Sequence, residues 1–129
     1  MYRPPPLRGR PVLAEKKVLL IDRCQVTREL RASILRSHGV EVHEVEELSR
    51  ARFFWRPHVY DLVMLDVRRY SAEDVLEFCE RINASPRERV VFLVGSPTYL
   101  SLTWPVEVVA EDASSGQWVE TVRKFLAAA

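Results

Sequence analysis

Two aspartates each close an apolar run. Asp22 ends Lys17-Val18-Leu19-Leu20-Ile21, and Asp66 ends Asp61-Leu62-Val63-Met64-Leu65. A short continuous run rich in Val, Leu and Ile reads as a strand buried on both faces. An acid at its last position stands at the carboxyl edge of a parallel sheet, where open α/β folds place their sites. Two such acids on adjacent strands make one acidic pocket. Its chemistry would be divalent-cation binding through carboxylate oxygens and phosphoryl transfer to a carboxylate.

The elements that must hold these acids alternate along the chain. Strands are expected at Val18 to Ile21, Val40 to Val45, Leu62 to Leu65, Val90 to Val94 and Val106 to Val109. The second, with Glu41 and Glu44 between its valines, reads as an edge strand with one wet face. A helix is expected from about Gln25 to His38, with Val26, Leu30, Ile34 and Leu35 as its apolar stripe and Gly39 just past its end. A second spans about Glu47 to Arg56 and stops before Pro57. A third starts at Ser71, which forms a capping-box-like pair with Asp74, and buries Val75, Leu76, Phe78, Cys79 and Ile82. The last follows Asp112-Ala113-Ser114-Ser115, with Trp118, Val119, Val122, Phe125 and Leu126 on one stripe. Such alternation predicts a doubly wound parallel five-stranded sheet. Only Ser96 to Trp104 separate Gly95 from Pro105. That is too short for a full crossover, so the fourth helix is expected to be missing or reduced.

At 129 residues, 47% of them apolar and 29% charged, the chain has the balance of one globular domain. Residues 1–15, with Pro4-Pro5-Pro6, Pro11 and several arginines, read as a flexible tail, and 16–129 as the domain. A net charge of +1 provides no bulk field for nucleic acid. No stretch is apolar enough to span a membrane. Cys24 and Cys79 lack metal-ligand spacing, which points to a reducing cytoplasm. His38, His43 and His58 are scattered and read as surface or loop residues. Phe53, Phe54 and Trp55 are consecutive, so they cannot all face the core. The remainder would form an apolar patch with Tyr99 or Trp104.

From Lys17 to Leu126 the chain resembles the receiver domain of two-component response regulators, a flavodoxin-like (βα)5 fold. The resemblance is carried by Val18-Leu19-Leu20-Ile21-Asp22 ahead of an Arg-containing amphipathic helix. It is carried also by the D-L-V-x-x-D form of Asp61 to Asp66, and by the 44-residue spacing of the two acids. It implies a stand-alone module of phosphorelay signal transduction, not an enzyme beyond self-phosphorylation and dephosphorylation at Asp66. Asp66 would be the phosphoacceptor. Asp22, Asp66 and the backbone carbonyl of Arg68 would bind Mg²⁺, which would neutralise charge on the transferring group. The implied partner is a sensor histidine kinase, a phosphotransfer protein or another signalling protein.

The chain also departs from that family. The second acid after strand one is Arg23, whose guanidinium would pair with Asp22 or Asp66 and weaken Mg²⁺ binding, or would contact a phosphoryl group directly. The family's Thr or Ser after strand four is Gly95, with Ser96 one place on. The family's lysine after strand five has no counterpart, and Ala110 or Glu111 stands there. Two readings stay open: a receiver that still accepts phosphate at Asp66, and a pseudo-receiver that signals by contact alone. Both acids also fit a plain role as N-caps. A small phosphate- or flavin-binding enzyme is disfavoured, because the four glycines form no phosphate cradle.

Overall fold

A computed structural model describes residues 16–56, 59–83, 90–94, 106–109 and 117–128. Expectations for the tail 1–15, for Gly95, Ser96 and Ala110, for the link 96–104 with its reduced helix, and for His58, Tyr99 and Trp104 lie outside the described residues. The strands are β1 (Lys17–Ile21), β2 (Glu41–Val45), β3 (Leu62–Asp66), β4 (Val90–Val94) and β5 (Val106–Val109). The helices are α1 (Gln25–Ser37), α2 (Leu48–Phe54), α3 (Ala72–Asn83) and α4 (Gln117–Ala128). A 3-10 turn, Val67–Arg69, follows β3.

All strand pairs are parallel, in the order β2-β1-β3-β4-β5. This is the order of flavodoxin-like sheets, whose topological switch lies between the first and third strands. Register places Ile21 beside Leu65, so Asp22 and Asp66 follow on neighbouring strand ends at that switch. β1 and β3 are buried nearly throughout because helices cover both faces. Leu19, Ile21, Val63 and Leu65 meet α2 and α3 residues, including Leu48, Ala51, Phe78 and Ile82. Val18, Leu20, Leu62 and Met64 meet Ala32 and Leu35 of α1 and Trp118, Val122 and Leu126 of α4. β2 is the expected edge strand, with Val42 and Val45 buried and Glu41 exposed.

Local signals act where their physics predicts. Gly39 ends α1 at φ 87°, a left-handed position. The Val40 amide donates to Leu35 O and the Gly39 amide to Arg36 O, the paired bonds of a Schellman end. Ser71 Oγ accepts the Asp74 amide at 3.2 Å and so caps α3. Of the three consecutive aromatics, Trp55 enters the core and Phe53 is exposed.

The expected stripe of α1 needs correction. Val26 is 75% exposed and Leu30 48% exposed. The buried residues of this helix are Arg31, Ala32 and Leu35. The true core face is therefore turned relative to the Val26-Leu30-Ile34 line, and it includes an arginine. Hydropathy patterning assigns arginine to the solvent side, so the pattern selected the wrong face.

Candidate functional site

The two acids do converge, and a third charged group joins them. Asp22 is 0%, Asp66 1% and Arg31 1% exposed. Arg31 comes from the second turn of α1 and reaches the acids at the carboxyl ends of β1 and β3. One nitrogen, Nη1, donates to Asp22 Oδ2 at 2.9 Å and to Asp66 Oδ2 at 2.8 Å. The rest of Asp22 is held locally. Its Oδ1 accepts the Cys24 amide at 2.9 Å, and its Oδ2 also accepts the Thr27 hydroxyl at 2.5 Å. Asp22 thus braces the entry to α1, although the N-cap itself is Cys24.

Asp66 is enclosed from the other side by Arg68. The Arg68 amide donates to Asp66 Oδ1 at 3.1 Å, which caps the 3-10 turn. The Arg68 side chain closes a two-pronged pair, Nε to Oδ1 at 2.9 Å and Nη2 to Oδ2 at 2.5 Å. Each Asp66 oxygen therefore accepts two hydrogen bonds. Burial opposes ionisation of Asp66, but the bonds from Arg68 and Arg31 outweigh it and hold the carboxyl below its usual range. Among the described residues, the guanidinium groups of Arg31 and Arg68 match the carboxylates of Asp22 and Asp66 one for one.

That shift fixes a pH dependence. Because the folded-state value of Asp66 is depressed, its contribution to stability is full above the ordinary aspartate value of about 3.9 and is lost as pH falls through the folded value. Urea midpoints are expected to show an acid limb below about pH 4. The limb should be shallower in Asp66→Asn. An unchanged limb in that variant would assign the acid sensitivity to other groups.

Arg23 points away from both acids. Its Nη2 donates to Glu47 Oε2 and its Nη1 to Arg69 O, each at 2.8 Å. Its guanidinium lies 4.7 Å from the centre of the Tyr70 ring. Burial raises the Tyr70 phenol pKa, and the protonated hydroxyl donates to Glu46 O at 2.6 Å. The expectation that Arg23 neutralises the acids is therefore corrected. The nearby carboxylate of Glu47 and the face of Tyr70 capture it outside the pocket.

The sequence matches no protein-family model and no curated protein. Solved structures do match. A chain from the complex of histidine kinase ThkA with response regulator TrrA gives a TM-score of 0.71 at 25% identity, over 86% of this chain and 98% of its own. The chain has the receiver-domain fold. TrrA from Thermotoga maritima in complex with Mg²⁺-BeF gives a TM-score of 0.68 at 23% identity, over 85% of this chain and 98% of its own. A CheY-like receiver domain from Methylobacillus flagellatus gives 0.61 at 16% identity, over 84% and 98%.

In this receiver-like fold the residues present do not fit a divalent cation. Mg²⁺ demands near-octahedral oxygen ligation at about 2.0–2.1 Å. Here one oxygen of each carboxylate is already bound to the same guanidinium nitrogen. Among the described residues, no group of three or more His, Cys, Asp or Glu could hold a metal. Arg68 was expected to contribute its backbone carbonyl, whereas its amide and side chain are what bind Asp66. The side chains of Arg31 and Arg68 were both missed in the sequence. The available signal for Arg31 was its place one turn before Leu35 on the face that carries Ala32. His43 bonds the Tyr60 hydroxyl at 2.6 Å and packs edge-on to Phe54, a structural role.

Proposed function

We propose that this receiver is a phosphorylation-independent interaction domain, a pseudo-receiver of two-component-type signalling. One observation carries the reading. Asp66, the position of the family's phosphoacceptor, is buried with both oxygens engaged by Arg31 and Arg68. A carboxylate attacking phosphorus needs a free lone pair and an open approach, and the same donors that stabilise the anion weaken it as a nucleophile. The partner is a signalling protein, either a histidine kinase, a phosphotransfer protein or another regulator. The likeness to a chain of the ThkA–TrrA complex supports that class. Among the described residues no helix is long and apolar enough to cross a membrane.

A second reading has one observation in its favour. The Arg68 side chain is 40% exposed, so it can swing into solvent and uncover one side of Asp66. Asp66 would then accept a phosphoryl group from a kinase. Acetyl phosphate with Mg²⁺, or beryllofluoride, separates the two. Intact mass and tryptophan fluorescence should both be unchanged by the treatment. A phosphoryl adduct that Asp66→Asn abolishes would establish the second reading and overturn the first.

A further inference from the structure

We infer that the Arg31 guanidinium is the resident cation of this pocket, occupying the space between Asp22 and Asp66 in which the receiver fold would otherwise place a divalent ion. The inference deepens the pseudo-receiver reading and rests on it. It follows from three features of the same atoms. The first is convergence: a single nitrogen of Arg31 is shared by carboxylates from two strands at 2.9 and 2.8 Å. The second is burial. All three side chains are at most 1% exposed, and two buried carboxylates this close require a positive charge between them. The third is the way the guanidinium is held. Its Nε and Nη2 are buried with no hydrogen-bond partner among the described residues. An arginine positioned for hydrogen bonding would use its two-pronged edge, as Arg68 does on Asp66. Arg31 instead puts one nitrogen between two anions, so charge sets its position.

A tethered guanidinium differs from an ion in ways that matter for signalling. It is part of the chain and does not dissociate, and through its ion pairs with Asp22 and Asp66 it ties α1 to the switch point of the sheet. The pocket is therefore complete at any Mg²⁺ concentration. Removing Arg31 should open a site for a divalent cation on Asp22 and Asp66.

Thermal melting with EDTA or with millimolar Mg²⁺, and Mn²⁺ uptake by electron paramagnetic resonance, test this on the whole chain. The native protein should melt at the same temperature in both buffers and leave Mn²⁺ free. Arg31→Ala should melt lower in EDTA, regain several degrees as Mg²⁺ saturates, and take up one Mn²⁺. Arg31→Ala with Asp22→Asn should lose that response. Should Arg31→Ala fail to fold in both buffers, Arg31→Gln takes its place with the same expected gain. Mn²⁺ uptake by the native protein that depends on Asp22 would overturn the inference, as would an Arg31 variant that folds but ignores both ions. No phosphodonor enters these measurements. A protein that ignores Mg²⁺ yet is phosphorylated at Asp66 would therefore defeat the proposed function and leave this inference standing.

Discussion

Arg31→Ala is expected to destabilise the fold by about 3–5 kcal/mol in urea denaturation, because it leaves buried carboxylates without their shared counter-charge. Asp66 keeps Arg68, but among the described residues Asp22 keeps only the Cys24 amide and the Thr27 hydroxyl for its carboxylate. The cost is that of stranding a charge and differs from the net worth of the cluster. Replacing Arg31 by Met together with Asp22→Asn and Asp66→Asn should therefore recover most of the loss, since removing a whole buried ionic cluster is often close to neutral. Arg23→Ala is the comparison. Its pair with Glu47 is nearly half exposed on both sides, and such pairs contribute about 0–1 kcal/mol. Equal losses for Arg31→Ala and Arg23→Ala would show that the pocket tolerates an unpaired acid, and the charge argument would fail.

Trp118→Ala should cost a similar amount, about 3–5 kcal/mol, for an unrelated reason. Trp118 is 2% exposed and seats the first turn of α4 among Val18, Leu20, Leu35, Val40, Leu62 and Met64. Truncation removes its buried area and leaves a cavity between the sheet and two helices that cannot fully collapse. The melting temperature should fall on the order of 10–20 °C in a domain of this size. Because Asp22, Arg31, Asp66 and Arg68 come from the end of β1, from α1, from β3 and from the turn after β3, and none from α4, the response to Mg²⁺ and to phosphodonors should match that of the native protein below the transition of this variant. A loss below about 1 kcal/mol would mean that α4 does not cover this face of the sheet in solution.

The two variants probe parts of the protein that differ in how readable they are. Trp118 was legible because Val122 and Leu126 repeat its helical face and no charged residue interrupts the stripe. β1 and β3 were legible because burial on both faces leaves an uninterrupted apolar run. The end of α1 was legible because Gly39 is the residue that accepts a left-handed turn at least cost. These signals are local, and each is written in a few neighbouring residues. Together with the strand–helix alternation they carry the doubly wound sheet and the location of its carboxyl edge.

The state of the acids at that edge was not local. Arg23 is adjacent to Asp22 in the chain, so it was the natural candidate to neutralise it, yet Glu47 and Tyr70 draw it outward. Arg31 is separated from Asp22 by 9 positions and from Asp66 by 35. Only the crossing of α1 over the sheet brings the three together. The sequence by itself determined the fold, its layers and the convergence of Asp22 and Asp66, because burial patterns and turn residues act at short range. The tertiary structure alone decided which cation meets those acids. A buried charge is compatible with a core position only when its partners arrive from distant segments, and hydropathy patterning contains no record of such partners.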